Sequence, residues 1–127
     1  MDADCSAPDL RSNCPIAAAL DVLGDRWTLL VLRDALLLGK SRFQEFQESP
    51  EGISSNTLTE RLERLERHGL LVREVYRERP LRHRYVVTAK GRDLLPVLRE
   101  AALWGMRHVP GTMQVPEAML REPAAPG

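Results

Sequence analysis

Hydrophobic residues in the first part of the chain recur at the spacing of an α-helix. Pro15 suits a first helical turn, because the N–H that proline lacks is not needed there, and Cys14 precedes it. Gly24 predicts the end of this helix. The apolar residues between them fall at i, i+4 and i+7, namely Ile16, Leu20 and Leu23.

The next predicted helix is apolar on nearly every side. Asp25 is suited to cap it, the helix runs from Arg26 to about Leu37, and Gly39 ends it. Because a helix with apolar residues all round must be covered by several neighbours, we expect this one at the centre of the fold.

A short helix and a longer amphipathic helix follow, separated by a tight break. The residues Ser41–Gln44 fit a capping box for the short helix, which Pro50 and Gly52 interrupt. Ser54 then caps a helix over Ser55–His68. Two helices joined in this way predict a helix-turn-helix, whose second helix enters the major groove of DNA.

The second of these helices separates apolar from polar residues. With Leu58, Leu62 and Leu65 facing the core, the outer face carries Asn56, Thr57, Glu60, Glu63, Arg64 and Arg67, and the edges carry Ser55, Thr59 and Arg61. Asn is suited to the edge of adenine and Arg to that of guanine. The hydroxyls of Ser54 and Ser55, at the helix N-terminus, are suited to a phosphate.

An arginine-rich hairpin comes directly after the helix-turn-helix. Residues 70–78 alternate as a strand, residues 83–87 form a second short strand, and Arg79–Arg82 lies between them as the tip. The predicted fold is therefore a winged helix-turn-helix, α+β in class and mainly helical, whose two-stranded wing reaches the DNA beside the recognition helix.

We predict contacts to double-stranded DNA from the start of the short helix, the recognition helix and the wing. The predicted contacts are Lys40, Ser41, Arg42, Ser54, Ser55, Asn56, Thr57, Thr59, Arg61, Arg64, Arg77, Arg79, Arg82 and Arg84. The chain has 18 basic and 18 acidic residues, so its net charge is zero. The prediction therefore rests on the local concentration of arginine and not on total charge.

A last long helix is predicted from Ala89 to about Met106, capped by Thr88 and kinked at Pro96. Its apolar residues cover more than one face, and a second copy of the chain can cover the face that one domain leaves exposed. A homodimer also places two recognition helices about 34–36 Å apart, on successive major grooves of a palindromic operator. The predicted dimer contacts are Leu94, Leu98, Ala101 and Trp104.

The chain divides into three predicted regions. Residues 1–13 lack periodicity and form a flexible arm, residues 14–106 form the DNA-binding and dimerisation domain, and residues 107–127 form a proline-rich tail. Within the tail, residues 116–121 can form one or two helical turns. The N-terminal segment is acidic and unlike an export signal, and no apolar run approaches the roughly 20 residues that cross a bilayer. We expect a cytoplasmic protein with no membrane partner.

The cysteines are the candidates for covalent chemistry. Cys14 lies at a predicted helix start, where free N–H groups favour a thiolate and its reaction with an oxidant or a small electrophile. Cys5 is a weaker candidate for its resolving partner. No Cys-x-x-Cys pair is present and the histidines lack metal-ligand spacing, so we expect neither metal nor cofactor.

Two other classes of function stay open on these residues alone. The neutral total charge, with Glu60, Glu63 and Glu66 along the recognition helix, fits a winged helix used as a protein-interaction module without specific DNA binding. Such a module does not need the arginine-rich wing. A thiol enzyme acting through Cys14 is the other class, but no phosphate loop or nucleophile elbow accompanies that residue. We therefore favour a regulator over an enzyme.

Several short motifs run with regular spacing from residue 14 to residue 105. They are Cys14–Pro15–Ile16, Leu20, Gly24–Asp25–Arg26–Trp27–Thr28, Leu32–Arg33, Gly39, Arg42–Phe43, Gly52–Ile53–Ser54, Leu58–Thr59, Arg61–Leu62, Leu65–Glu66, Gly69–Leu70, Tyr85, Thr88, Gly91 and Trp104–Gly105. With these motifs the chain resembles the HxlR family of bacterial regulators, which is related to the MarR type. Pro50–Glu51 departs from the pattern usual before the Gly-Ile-Ser turn.

The resemblance to the HxlR family carries its own expectations. It implies a winged helix, a homodimer built on the terminal helices and control of nearby genes. Some members sense electrophiles or disulfide stress through the cysteine that matches Cys14, whereas others respond to other signals or have no known ligand, so the resemblance makes Cys14 a candidate sensor.

Overall fold

Six α-helices and one hairpin make up the fold of residues 10–121, the part of the chain that the computed structural model describes. In chain order the elements are α1 (Pro15–Leu23), α2 (Thr28–Leu37), α3 (Phe43–Gln47), α4 (Ser55–Arg67), β1 (Leu71–Glu78), β2 (Leu81–Val87), α5 (Ala89–Arg92), α6 (Leu95–His108) and a 3-10 turn (Glu117–Leu120). This order confirms the predicted winged helix-turn-helix, in which α3 and α4 form the helix-turn-helix and β1–β2 the wing.

The core lies where α2 and the inner face of α4 meet the start of the wing. One connected apolar cluster contains Leu23, Val31, Leu32, Ala35, Leu36, Phe46, Ile53, Leu58, Leu62, Leu65, Leu70, Leu71 and Leu98. Each fully buried leucine contributes about 1.5–3 kcal/mol of transfer free energy, so this cluster holds the orientation of α4. The central position predicted for α2 and the inward face predicted for α4 are both confirmed.

The start of α2 differs from the prediction. This helix begins at Thr28 and not at Arg26. The reason is that Asp25 Oδ1 accepts hydrogen bonds from the backbone N–H groups of Trp27, at 2.7 Å, and Thr28, at 2.9 Å. Asp25 therefore caps α2 as predicted, but α2 starts two residues later than the sequence indicated.

The cap of α3 also differs from the prediction. Glu45 Oε1 accepts hydrogen bonds from the backbone N–H groups of Ser41, at 2.9 Å, and Arg42, at 3.0 Å. The residue that reaches back to the helix start is therefore Glu45 and not Gln44, because α3 starts one residue beyond the predicted position.

Two helices replace the single kinked helix predicted over residues 89–106. Thr88 Oγ1 accepts a hydrogen bond from Gly91 N at 3.1 Å, which confirms the predicted cap. The chain then leaves the helical path, and Pro96 lies in the first turn of α6, where its missing N–H costs nothing. A proline therefore starts a new helix here instead of bending an existing one.

The wing is a two-stranded antiparallel hairpin. Its register runs from Leu71 opposite Val87 to Glu78 opposite Leu81, with a bulge between Val75 and Arg77. The second strand is longer than the predicted segment 83–87, so the tip is reduced to residues 79 and 80.

The hairpin is anchored to the loop before α3. At its base, Tyr85 N donates a hydrogen bond to Ser41 O at 2.7 Å. The wing and the helix-turn-helix therefore share a backbone contact that fixes the base of one relative to the start of the other.

The segment after α6 folds back along that helix. Gly111 turns the chain with a φ of 89°, and Val115 N lies 3.1 Å from Met106 Sδ. The 3-10 turn that follows fits the helical turn predicted for residues 116–121, and it buries Leu120. The predicted division of the chain at residue 106 stays a prediction, although this leucine packs as a core residue does.

Candidate nucleic-acid interface

The first turn of α4 presents backbone N–H groups and small polar side chains to solvent. Ser54 caps the helix, and its Oγ accepts a hydrogen bond from Thr57 N at 3.2 Å. Ser55 and Asn56 are exposed beside it. Unpaired N–H groups and the helix dipole favour an anion at such an end, so this turn has the chemistry to meet a phosphate.

The outer face of α4 mixes amide, hydroxyl and charged groups. Its exposed residues are Ser55, Asn56, Thr59, Glu60, Glu63 and Arg67, whereas Thr57 is half-buried and its hydroxyl contacts the cap. Carboxylates in the middle of this face repel phosphate, which favours a contact through the N-terminal turn over one along the whole helix.

Two arginines of α4 are held by a carboxylate outside the helix. Arg61 Nε lies 3.1 Å from Asp25 Oδ1, and Arg64 Nη1 lies 3.3 Å from Asp25 Oδ2. Arg64 also donates to the carbonyl oxygen of Asp21, at 3.1 Å, near the end of α1. The prediction that Arg64 faces solvent with Asn56 is therefore wrong, because its guanidinium is used to join α4 to the α1–α2 turn.

Asp25 is the centre of that connection. Besides the two arginines, it accepts hydrogen bonds from the N–H groups of Trp27 and Thr28 and from the Thr28 hydroxyl, at 2.5 Å. Burial alone would raise the pKa of Asp25, but these hydrogen bonds outweigh burial and hold the pKa well below its ordinary value. The sequence identified Asp25 only as a helix cap. Arg61 and Arg64 lie 36 and 39 positions further along the chain, and the fold brings them into contact with Asp25.

A second polar network supports the turn between α3 and α4. Asp34 is 2% exposed, and its carboxylate is bonded to the Arg33 guanidinium and the Ser49 hydroxyl. Arg33 also forms a two-pronged pair with Glu51, at 2.7 and 2.9 Å. This pairing raises the pKa of Arg33 and lowers the pKa of Glu51. Sequence reasoning missed the network, and the one signal for it was an acid within the apolar α2.

Two of the predicted phosphate contacts before α3 are used inside the protein instead. Ser41 is buried, with its N–H bonded to Glu45 and its carbonyl oxygen to the wing. Lys40 is half-buried, and its Nζ lies 3.8 Å from Asp34 Oδ2. The predicted exposure of these two residues is wrong, because the loop that carries them packs between α2 and β2.

Arg42 remains available at the start of α3. Its side chain is 55% exposed, and Nη2 lies 3.0 Å from Glu45 Oε2. This hydrogen bond raises the pKa of Arg42, while the backbone N–H of Ser41 and the Arg42 side chain lower the pKa of Glu45 to about 2. The guanidinium stays charged and can exchange this exposed partner for a phosphate at small cost.

The wing carries its arginines in solvent. Arg79 and Arg82 are exposed near the tip, and Arg77 is exposed with its Nε bonded to Arg79 O at 3.2 Å. Arg84, on the stem, lies 3.3 Å from Glu74 Oε1 across the hairpin. The tip therefore offers more free positive charge than the stem.

Cys14 lies at the N-cap of α1 as an exposed free thiol. Its backbone N–H is bonded to Ser12 Oγ at 2.9 Å, whereas its side chain caps no N–H group of the helix. The predicted position at a helix start is confirmed. Cys5, the predicted resolving partner, lies outside the described residues.

The predicted dimer contacts of the last helix divide into two pairs. Leu98 is buried in the chain's own core, so it is not free to contact a partner as predicted, whereas Leu94 is half-buried against that core and its dimer contact stays a prediction. Ala101 and Trp104 are exposed, and the Trp104 ring, 62% exposed, lies 5.1 Å from the His108 ring. The prediction failed for Leu98 because α6 packs against α2 on that side.

Within residues 10–121 no cluster of three or more His, Cys, Asp or Glu side chains is arranged to hold a metal ion. No helix in that range combines the length and the apolar character needed to span a bilayer.

Comparison with known proteins agrees with the geometry. Residues 22–113 match the family model described as HxlR-like helix-turn-helix. The chain belongs to the HxlR-like helix-turn-helix family. A relative in Synechocystis sp., named as the uncharacterized HTH-type transcriptional regulator sll1512, is 45% identical over 67% of this chain. That match spans 62% of the relative's own length.

Solved structures of regulators are similar to this chain as well. The reduced form of the transcriptional regulator YodB from B. subtilis is 33% identical, covers 80% of this chain and 100% of its own, and has a TM-score of 0.64. The redox regulator HypR in its oxidized form is 34% identical, with coverage of 80% and 100% and a TM-score of 0.65. The family that the chain belongs to is described by its helix-turn-helix and the Synechocystis relative as a transcriptional regulator, which is the class of protein that the sequence predicted.

Proposed function

We propose that the protein regulates transcription as a homodimer that binds a palindromic operator in double-stranded DNA. The observation that supports this most directly is the exposed polar face of α4, next in the chain to a wing whose tip arginines are exposed. We place such a regulator in the cytoplasm, as the sequence predicts. The proposed DNA contacts are Arg42, Ser54, Ser55, Asn56, Thr59, Arg77, Arg79, Arg82 and Arg84.

Arg61 and Arg64 have a positioning role in this proposal. Both are paired with Asp25, and moving either onto a base would leave the half-buried carboxylate with fewer partners. Asn56 is the residue we assign to base recognition, because its amide is exposed in the first turn of α4, beside the anion-binding end of the helix.

Fluorescence anisotropy with DNA from the protein's own promoter region tests this function. The logarithm of the affinity should fall with the logarithm of salt concentration, with a slope of about −0.9 per phosphate neutralised. Asn56→Ala should lose about 1–3 kcal/mol of discrimination between operator and unrelated DNA. Gln47→Ala, an exposed amide at the end of α3, is the matched control. Equal discrimination by wild type and Asn56→Ala would contradict the assignment.

A second copy of the chain is the occupant that we propose for the exposed apolar residues of α1 and α6. Ile16 and Leu20 on α1 are 71% and 53% exposed, and Trp104 on α6 is 62% exposed. Removing this area from water favours association by about 25 cal/mol for each Å². Trp104→Glu should dissociate the dimer in sedimentation equilibrium, while Gln47→Glu, which adds the same charge at an exposed position of α3, should leave it intact. A monomeric wild type would contradict the proposal.

We also propose that oxidants or electrophiles act through Cys14. The thiol is exposed at the start of the helix that carries Ile16 and Leu20, so a group added to its sulfur lies beside the proposed dimer surface. YodB and HypR, described as a transcriptional regulator in its reduced form and a redox regulator, support the idea by similarity. A quinone should change operator affinity in wild type and in Cys5→Ser but not in Cys14→Ser. An equal response of Cys14→Ser would remove Cys14 from the mechanism.

A further inference from the structure

An open cleft separates the start of α3 from the outer half of the wing. Its volume is about 490 Å³, within the range of roughly 300–1,000 Å³ usual for small-molecule sites. It is lined by Arg42, Phe43 and Gln44 on the α3 side, and by Tyr76, Arg77, Leu81, Arg82 and His83 on the wing side. This lining contains three guanidinium groups and no carboxylate.

The wing places two of these arginines directly opposite each other. Arg77 pairs with Arg82 in the register of the hairpin, and like charges in such a cross-strand pair destabilise it. Within residues 10–121, neither guanidinium has a carboxylate partner. The wing arginines that form ion pairs in that range are Arg73 and Arg84. The pair therefore concentrates positive charge that an anion between the two side chains would neutralise.

Apolar and aromatic groups stand beside that charge. Leu81 is 58% exposed, next to Arg82, and the half-buried ring of Phe43 lies across the cleft. Tyr76, at the bulge, lines both this cleft and an adjoining cavity of about 210 Å³. A ligand that matches the lining thus needs a charged group and an apolar part.

We propose that the cleft binds a small organic anion, a phosphate or carboxylate attached to an apolar ring or chain. Arg42, Arg77 and Arg82 hold the anionic group, and Phe43 and Leu81 contact the apolar part. Because the three arginines are also proposed DNA contacts, the bound anion competes with DNA. That competition rests on the proposed function, whereas binding of the anion does not.

Isothermal titration calorimetry on the full chain, without DNA and at constant ionic strength, tests the site. The probe is phenyl phosphate, with inorganic phosphate and phenol as its charged and apolar parts. Phenyl phosphate should bind once per chain and more tightly than either part. Arg42→Gln and Arg82→Gln should each weaken binding about tenfold, the equivalent of one charge-assisted hydrogen bond. Arg107→Gln, away from the cleft, should change nothing.

Other outcomes overturn the proposal. The proposal is wrong if the wild type does not bind phenyl phosphate. It is also wrong if binding survives both Arg42→Gln and Arg82→Gln, or if inorganic phosphate binds as tightly as phenyl phosphate does. If the variants lose duplex DNA binding and the wild type does not bind phenyl phosphate, the cleft is assigned to a DNA phosphate instead. Phenyl phosphate binding by a chain that does not bind DNA would support the cleft and reject the proposed function. Equal thermal unfolding temperatures show that the variants remain folded.

Discussion

The recognition helix and the wing use arginine in opposite ways. In α4, Arg61 and Arg64 turn toward Asp25 and join the helix to the α1–α2 turn. In the wing, Arg79 and Arg82 extend into solvent without an ion pair among the described residues. Sequence patterns assigned all four to the same role. An arginine that a carboxylate holds beside the core is used inside the protein, whereas an arginine whose side chain is exposed stays available to a ligand.

Burial explains why the two regions differ. The α4 arginines border the core, so a charge there requires a partner, and Asp25 lies close enough to supply it. Only Leu71 of β1 is buried, and its other side chains keep their water. An unpaired arginine in the wing therefore costs the fold little stability, and no internal ion pair has to break when it binds a phosphate.

The largest expected effect comes from removing the carboxylate that holds α4. Asp25→Ala should lower the free energy of unfolding by about 2–4 kcal/mol, because a helix cap is lost and two guanidinium groups lose their partner. Urea denaturation at neutral pH measures it. Asp93→Ala removes an exposed aspartate and should stay within about 0.5 kcal/mol of wild type. A similarly small change for Asp25→Ala would mean that the connection does not stabilise the fold.

Arg64→Ala should separate the positioning role from a DNA contact. We expect about 1–2 kcal/mol of lost stability, from the hydrogen bonds to Asp25 and the Asp21 carbonyl. The salt dependence of DNA binding should keep the wild-type slope, because no phosphate contact is removed. A slope that becomes less steep by about 0.9 would instead identify Arg64 as a phosphate contact and break the comparison.

Arg79→Ala should give the opposite pattern. Its side chain is exposed at the tip, so stability should stay within about 0.5 kcal/mol of wild type. The magnitude of the salt slope should fall by about 0.9. Anisotropy at several salt concentrations, beside urea denaturation of the same sample, measures both quantities. Arg121→Ala, exposed in the tail, is the control and should change neither one.

The smallest expected effect is on acid stability. The pKa of Glu45 falls from an ordinary 4.5 to about 2 in the fold, and that of Asp25 also lies below its ordinary 3.8. The unfolded chain therefore takes up protons first, and stability that is present above these ordinary values is lost as pH falls toward the folded ones. For Glu45, whose side chain is 29% exposed, we expect less than about 1 kcal/mol between about pH 5 and about pH 3. Urea midpoints should fall less steeply in Glu45→Gln than in wild type.

Periodicity and capping were sufficient for most of the fold. The spacing of Leu58, Leu62 and Leu65 identified the buried face of α4, and Ser54 and Thr88 were found as caps, since these signals are local. The prediction failed where the partner is distant in the chain. Leu98 was assigned to a dimer because nothing in a single helix shows which apolar face its own domain covers.

The order of helices and strands, the inner face of α4 and the arginine-rich tip of the wing are all determined by the sequence itself, because each depends on residues within a few turns of one another. Only the tertiary structure decided which charges stay free. Asp25 reaches Arg61 and Arg64, Asp34 reaches Lys40, and Ser41 is covered by the wing, because packing brings together groups that the chain separates. Paired charges near the core hold the fold together, and those left in solvent can meet a ligand.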